Sequence, residues 1–350
     1  MIVDVHAHVL LPSLHEEVVR RAPEGVAAAA ELDHRRNGAA SQQVSGPMVA
    51  ARISRLVDVA ERLRIMDEQG VDRQWVSASP NHYYPWAEEE LAVWACTEAN
   101  RLIAEHVAQA PERLTGLGLV PLQWPERAQG LLDDAVLGHG LLGVEISSAA
   151  GDVELSDPRL EPFWTRAATL GCPVFVHPFG CSLDERLDRF YLVNTVGQPV
   201  ENAVALSHLI FGGVLDRHPG LRVVAAHGGG YLPTAIGRSD HAWRVRPDAR
   251  GCENPPSHYL TRIWFDTVVH DTRALQQLVE VAGSSQVLMG SDYPFDMGSE
   301  DPVGFLRAAG LAPDVERAVL GSNAIELETH QNAVLQTQEG RDEDRTLDAR

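Results

Sequence analysis

The chain has 350 residues, and 44% of them are hydrophobic, which is enough to bury one large core or two smaller ones. Its formal net charge of -20 argues against nucleic acid and against an anionic membrane surface as partners. All 29 basic residues are arginine, so a lysine Schiff base, a Walker-type phosphate loop and a metal bridge built on a carboxylated lysine are excluded.

The sequence predicts neither a membrane span nor a signal peptide. It contains no run of about 18 apolar residues. The apolar start at residues 1–3 is interrupted at once by Asp4, and no basic region precedes it. The cysteines, at positions 96, 172, 181 and 252, have no C-x-x-C spacing. Reduced thiols in the cytoplasm are therefore expected.

Eight short apolar segments are predicted as β-strands, with amphipathic helices between them. The predicted strands are 2–6, 71–77, 114–122, 141–147, 173–177, 221–227, 263–269 and 286–291. The predicted helices include 52–69, 87–110, 125–137 and 159–170. Runs such as 174–176 and 223–226 are apolar throughout, which is typical of parallel strands buried on both faces.

This alternation predicts an α/β fold, and eight units in a chain of this length favour a (β/α)8 TIM barrel. A doubly wound open sheet is the alternative, but no G-x-G-x-x-G follows the first strand. We expect a single barrel domain over residues 1–330. Residues 10–50 are too many for a tight loop and are predicted to form a small insertion over the barrel mouth. Residues 331–350 are polar and highly charged and are predicted to be a disordered tail.

Residues with metal-binding side chains fall at the carboxyl ends of four predicted strands. His6 and His8 end the first strand and point to one face, since side chains alternate along a strand. His177, His227 and Asp292 end the fifth, sixth and eighth strands. In a barrel these ends meet, so the set predicts a site for zinc or a similar divalent ion. Taken singly, each residue could instead be a turn or strand-end residue, and the pattern alone does not separate ligand from acid/base.

These residues stand in motifs that resemble those of the amidohydrolase superfamily. The motifs are His6-x-His8, Val176-His177-Pro178, Ala226-His227-Gly228-Gly229-Gly230 and Gly290-Ser291-Asp292-Tyr293-Pro294-Phe295. Within the superfamily, the chain looks like the aminocarboxymuconate-semialdehyde decarboxylase-like branch of non-oxidative decarboxylases. The similarity extends from the first strand to about Leu327 and includes the segments 66–72 and 237–244.

The resemblance implies one zinc ion per subunit, with Mn2+ or another divalent ion as the alternative. The implied ligands are His6, His8, His177 and Asp292, with water completing the shell. It further implies that His227 is a catalytic acid/base residue and not a ligand, and that Asp292 takes part in catalysis. Relatives with two metals carry a bridging lysine where this chain has Glu145, which is consistent with a single ion.

The resemblance also implies arginines that bind a small anionic substrate. Arg238 and Arg246 follow the glycine turn of the sixth strand, where relatives place such residues and carry them across a subunit interface. A homodimer is therefore expected; the alternative is that both arginines lie on a helix surface. Relatives carry a further arginine in the segment before Met66; near that place this chain has Ala50, with Arg52 and Arg55 close by.

Aromatic residues follow two of the candidate ligands. Phe179 comes two residues after His177, and Phe295 three residues after Asp292. Both are expected to line an apolar substrate pocket, although aromatic residues of this kind also serve in hydrophobic cores. The named branch has a tryptophan in place of Phe179, so the wall of the pocket is expected to differ.

The implied activity is a metal-dependent non-oxidative decarboxylation of a small unsaturated or aromatic carboxylic acid, in the cytoplasm. The same site could instead hydrolyse a lactone, ester or amide, or hydrate a ring-cleavage product. A metal-binding protein without turnover is a third alternative. The additional base at His227 argues against this alternative, because a structural zinc site needs no base beside it and leaves no coordination position open.

Overall fold

The computed structural model describes residues 1–348, with side chains described up to residue 337. Within that part, eight parallel strands form one sheet in chain order. The strands β1 to β8 are Val3–Val9, Arg73–Ala78, Leu114–Leu119, Gly143–Ser147, Pro173–His177, Arg222–Ala225, Ile263–Asp266 and Val287–Leu288. A short antiparallel pair, Ala149–Ala150 and Val153–Glu154, follows β4.

The sheet closes on itself between its first and last strands. Val5 N donates to Met289 O at 2.9 Å, and Asp292 N donates to His6 O at 2.9 Å. Closure of this kind pairs both edges of the sheet and leaves no strand open to solvent. The predicted (β/α)8 barrel is confirmed.

Helices surround the barrel and connect successive strands. The helices α1 to α14 are Pro12–Arg21, Pro23–Ala51, Ile53–Val57, Val59–Gln69, Glu89–Val107, Pro125–Asp133, Glu161–Leu170, Gln198–Phe211, Val214–Arg217, Leu232–Val245, Thr272–Ala282, Pro302–Ala308, Pro313–Arg317 and Asn323–Asp348. Single turns of π-helix precede or extend three of them, at Asp134–Gly138, Val193–Gly197 and Ala318–Ser322. Across residues 1–348, no helix combines the length and the apolar composition that a membrane crossing requires.

Hydrophobic side chains fill the floor of the barrel. The interior cluster takes residues from six of the strands and from α14, which closes the amino-terminal end: Val3, Val5, Trp75, Leu117, Phe175, Val224, Leu288, Ala324 and Leu327. A larger cluster lies between the sheet and the surrounding helices. The polar site is thus confined to the opposite, carboxyl-terminal end of the barrel.

A β-bulge in β1 decides which side chains face the barrel interior. The pairing of β1 with β2 changes register between Asp4 and Ala7. Val5 packs in the interior cluster, and the next residue, His6, also faces inward, with its ring 5.0 Å from that of Phe175. The extra residue of the bulge thus lets an apolar plug and a candidate ligand occupy successive positions of one strand.

The strands lie where they are predicted, but several end earlier. β6 ends at Ala225 and β8 at Leu288, so His227 and Asp292 lie in the turns that follow. Both residues have left-handed backbone, with φ of 52° and 58°. Such conformations are costly for residues other than glycine and persist only where the surrounding structure fixes them.

The segment 10–50 is mostly helical and packs against the loop that follows β5. α2 is interrupted at Gly38, where φ is 73° and a Cβ atom would lie 1.8 Å from Asp188 O. Arg36 Nε donates to Asp184 Oδ1 at 2.8 Å. Further along α2, Met48 lines a cavity next to His177.

The carboxyl-terminal segment differs from the prediction. Residues 331–348 belong to α14 and are helical where a disordered tail is expected. Gln331 is buried, and Val334 lies close to Gly171 at the end of α7. Contact with α7 therefore orders the first part of this segment, up to Val334, which its polar composition does not predict. Residues 349 and 350 lie outside the described residues.

A buried polar network stands behind β1. The Asp4 carboxylate accepts hydrogen bonds from Gln74 Nε2 (2.8 Å), Ser291 N (2.9 Å) and Ser291 Oγ (2.5 Å). The buried Arg62 of α4 donates to Gln74 Oε1 (2.7 Å) and to His8 O (2.6 Å). Burial raises the pKa of Asp4 and lowers that of Arg62 to about 10. The network ties the first, second and last strands together.

We expect Asp4→Asn to destabilise the barrel. Only hydrogen-bond donors face the carboxylate of Asp4. The NH2 group of asparagine would face one of these donors and leave both buried groups unpaired. The expected loss in the free energy of unfolding is about 1–3 kcal/mol. Urea unfolding followed by circular dichroism should show this loss. Asp152→Asn, at an exposed position, is the matched control, and equal effects of the two substitutions would contradict a role for the network.

Candidate metal centre

The structure brings His6, His8, His177, His227 and Asp292 together at the carboxyl end of the barrel. The Nε2 atoms of His6 and His8 are 3.1 Å apart, and Asp292 Oδ1 lies 3.4 Å from the first and 3.2 Å from the second. The ring centroid of His177 is 5.0 Å from that of His6 and 4.9 Å from that of His227. Ligand atoms of His6, His177, His227 and Asp292 lie within 4.8 Å of one another.

Asp266, at the end of β7, fixes two of these residues. Its Oδ2 atom accepts from His6 Nδ1 at 2.6 Å and from His227 N at 3.0 Å. Its Oδ1 atom accepts from Gly228 N at 2.8 Å. Burial would raise the pKa of Asp266, but the hydrogen bond and charge of His6 lower it below its ordinary value. Sequence reasoning missed this residue, although an acidic side chain at the end of an apolar strand was a signal.

A second carboxylate orients His8. Ser77 Oγ donates to Glu145 Oε2 at 2.5 Å and lies 3.3 Å from His8 Nδ1. Tyr83 donates from its hydroxyl to Glu145 Oε1 at 2.6 Å. Burial raises the pKa of Glu145. Because the serine proton is committed to the carboxylate, the serine oxygen is free to accept from His8 Nδ1.

These hydrogen bonds decide which ring nitrogens are free. With the Nδ1 atoms of His6 and His8 donating to buried partners, the two Nε2 atoms are the nitrogens left to bind a metal ion. Both ring nitrogens of the buried His177 lack a hydrogen-bond partner among the described residues. Several lone pairs therefore face one small volume beside the Asp292 carboxylate, and this donor set of imidazole nitrogen and carboxylate oxygen fits a divalent metal ion.

The charges of the neighbouring side chains also favour a bound metal ion. Burial alone would lower the pKa of His6, but the carboxylates of Asp292 and Asp266 raise it to about 9. Burial, together with the neighbouring imidazoles, holds the pKa of His177 well below its ordinary value. Burial would raise the pKa of Asp292, but the imidazoles around it hold that pKa well below its ordinary value. The site attracts positive charge, which a metal ion supplies in place of a proton.

His227 differs from the other histidines of the cluster. Its side chain is 15% exposed, and its Nε2 atom lies 3.6 Å from Asp292 Oδ2. Its Nδ1 atom lies 3.5 Å from Asn202 Nδ2, which is anchored to Ala226 O at 2.9 Å. With Nδ1 facing a donor, we assign the ring proton to Nε2. Sequence reasoning did not find Asn202, which lies within α8 and carries no motif.

The sequence profile of the family described as Amidohydrolase matches residues 3–327. The chain belongs to the amidohydrolase family. The resemblance inferred from the motifs is thereby confirmed, and so is the expectation of an enzyme that uses a divalent metal.

Members of the family with known activity resemble this chain along most of its length. The 2-amino-3-carboxymuconate-6-semialdehyde decarboxylase of Dictyostelium discoideum is 33% identical, over 93% of this chain and 90% of that protein. The gamma-resorcylate decarboxylase of Rhodococcus jostii (strain RHA1) is 30% identical, over 69% and 79%. The crystal structure of 5-carboxyvanillate decarboxylase from Sphingomonas paucimobilis matches with a TM-score of 0.81 at 25% identity, over 94% and 98%.

In this member of the family, a cavity of about 140 Å³, here called the inner cavity, lies against His177, His227 and Asp292. An outer cavity of about 440 Å³, lined largely by α2, shares several of its lining residues. Phe179 and Phe295 line both cavities. A third cavity of about 420 Å³ is also lined by His227 and Asp292 and is mostly apolar.

The two arginines implied by the resemblance lie elsewhere in the protomer. Arg238 is on the exposed face of α10, and Arg246 ends that helix and pairs with Asp248 at 2.8 Å. Neither lines a cavity described above. Asn194 and Gln198, which sequence reasoning did not select, line all three cavities.

We expect Asp266→Asn to weaken metal binding about 10- to 100-fold, because the substitution removes the charged acceptor that orients His6 and the turn at His227. Competition with a chromophoric chelator measures the dissociation constant. Asp271→Asn is the matched control, since Asp271 is an exposed helix cap that asparagine replaces well. Equal metal affinities of the two variants would show that Asp266 does not position the site.

Proposed function

We propose that the protein is a metal-dependent non-oxidative decarboxylase that releases CO2 from a small aromatic or unsaturated carboxylic acid. The observation that carries this proposal is the placement of His227 Nε2, 3.6 Å from Asp292 and beside the inner cavity. The relatives described above, all decarboxylases, support the same reaction. The buried free thiols of the described cysteines support a reducing compartment, and we propose the cytoplasm.

In this proposal one divalent ion is held by His6, His8, His177 and Asp292. Three imidazoles and one carboxylate favour zinc, with manganese as the alternative. When bound, the ion would act as a Lewis acid toward an anionic oxygen of the substrate.

His227 would supply the proton that decarboxylation requires. As an imidazolium, it would transfer its Nε2 proton to the carbon that bears the carboxylate, which would form the new C–H bond and leave the neutral ring. The C–C bond to the carboxylate would then break, its electron pair would restore the conjugated system, and CO2 would leave. The exposed fraction of the His227 side chain, 15%, allows it to recover a proton from water.

Aromatic and apolar side chains would hold the substrate and exclude water. Phe179 and Phe295 line the inner cavity together with Met48 and Tyr191. The Phe295 ring lies 5.5 Å from that of His8. A flat acid between these side chains would keep its reacting carbon in a site of low polarity, where charge interactions are strong.

We further propose a homodimer in which Arg238 serves the site of the partner. Arg238 is exposed on α10, away from the cavities of its own protomer, and a guanidinium can bind a carboxylate through two hydrogen bonds. Arg246 is less suited, because it already pairs with Asp248.

Metal-loaded protein should release CO2 from at least one member of a panel of carboxylated muconate semialdehydes and hydroxybenzoates. His227→Ala should keep the metal and lower kcat by about 100- to 10,000-fold, as expected when a proton donor is removed. Coupled CO2 detection and elemental analysis give the two readouts.

His241→Ala, at an exposed position, is the control and should retain activity. Failure of the whole panel with metal bound would contradict decarboxylation. Hydrolysis of a lactone or hydration of an unsaturated diacid by the same preparation would then identify the alternative reaction.

Arg238→Ala should lower kcat/KM about tenfold or more, because a charged hydrogen bond to the substrate is lost. Steady-state kinetics measures this, and sedimentation should give the mass of two protomers. Arg244→Ala, exposed on the same helix, is the control. A monomer, or equal kinetics of the two variants, would contradict the shared site.

A further inference from the structure

We propose that Gln198, together with Asn194, selects a substrate with one carboxylate and an uncharged polar substituent, such as a hydroxyl group, on its ring. This inference rests on the proposed function and names its substrate class. It follows from the position of the two amides, from an unpaired buried atom, and from the charges that the inner cavity contains.

The two amide residues are placed to act as a pair. Asn194 lies in the π-helical turn Val193–Gly197, and Gln198 begins α8 directly after it. Residues four apart in continuous helical structure project to the same side. Both side chains line the inner cavity, where His227 and Asp292 also lie. A substrate that reaches His227 therefore passes beside both amides.

Gln198 carries an acceptor that the described protein leaves unsatisfied. Its Oε1 atom is buried and has no hydrogen-bond partner among the described residues. A buried acceptor without a partner is disfavoured, and at a binding site it marks a position where a ligand donor fits. A hydroxyl group is such a donor, whereas a carboxylate presents acceptors only.

The charges around the inner cavity do not suit a second carboxylate. No arginine is among the described residues that line it, and Asp296 adds a further carboxyl group. The arginines near Ala50 lie elsewhere: Arg52 and Arg55 pair with Glu300, at 3.6 Å and 3.3 Å.

Cations outside the inner cavity do not change this balance. In the outer cavity, Arg36 is engaged by Asp184 at 2.8 Å. In the proposed dimer, the partner subunit's Arg238 would add one guanidinium, and this group would pair with the single reacting carboxylate of the substrate. A second carboxylate on the substrate would then remain unpaired in a partly buried site, and such placement is costly.

Isothermal titration of the zinc-loaded protein tests this selection with three probes: benzoate, 3-hydroxybenzoate and benzene-1,3-dicarboxylate. In the meta position, the hydroxyl group neither chelates the metal nor bonds to its own carboxylate. Wild-type protein should bind 3-hydroxybenzoate about tenfold more tightly than benzoate, the difference expected for one additional hydrogen bond. It should bind the dicarboxylate no better than benzoate. Gln198→Met keeps the length of the side chain without the amide, and should bind benzoate and 3-hydroxybenzoate with equal affinity.

Gln109→Met, at an exposed position in the turn after α5, is the matched control and should keep the tenfold preference. Gln198→Leu gives the same comparison if the methionine variant does not fold. A hydroxyl preference that survives both substitutions at Gln198 would overturn the proposal, and so would tighter binding of the dicarboxylate than of 3-hydroxybenzoate.

Release of CO2 is assayed separately on the same preparations, so that failure of the decarboxylase proposal can be distinguished from failure of the proposal for Gln198. Hydroxyl-dependent binding that Gln198→Met abolishes, without CO2 release from any acid, would refute the decarboxylase and support the selection by Gln198. CO2 release with equal rates for benzoate-like and hydroxylated acids would support the decarboxylase and overturn the selection.

Discussion

Two imidazole nitrogens facing each other at 3.1 Å are the constraint on which the rest of the site depends. His6 and His8 each commit their other ring nitrogen to a buried partner, so neither ring can turn away without breaking a hydrogen bond. Both Nε2 atoms are thus directed at the same small volume, which a proton or a metal ion can fill. The surrounding carboxylates orient the rings and supply the negative charge that makes a bound cation favourable.

The barrel provides the rigidity that this constraint requires. The bulge in β1 turns His6 inward, and the network of Asp4 and Arg62 holds the outer side of the same strand. The left-handed turns at His227 and Asp292 are held in part by backbone hydrogen bonds, to Asp266 in the first case and to His6 in the second. Hydrogen bonds between segments that are far apart in sequence thus fix the positions of the polar groups in the site.

The sequence was sufficient for the fold and for the residues that meet at the barrel mouth, because buried parallel strands and strand-end histidines leave clear local patterns. It was insufficient for Asp266, because one acidic residue at the end of an apolar strand also looks like a turn. Gln198 carries no motif, and its significance arises only when α8 meets the cavity. The helix at residues 331–348 was not predicted, because composition does not show a contact such as that between Val334 and the end of α7.

The closure of the barrel has a consequence for how the protein is made. His6 and His8 lie on the first strand and Asp292 directly after the last, so the candidate ligand set spans nearly the whole chain. A nascent chain on the ribosome carries three of the four side chains once residue 177 is synthesised, but it cannot complete the set before residue 292 emerges. Cotranslational metal capture would thus be incomplete until the barrel closes, and chains terminated early would lack the full site.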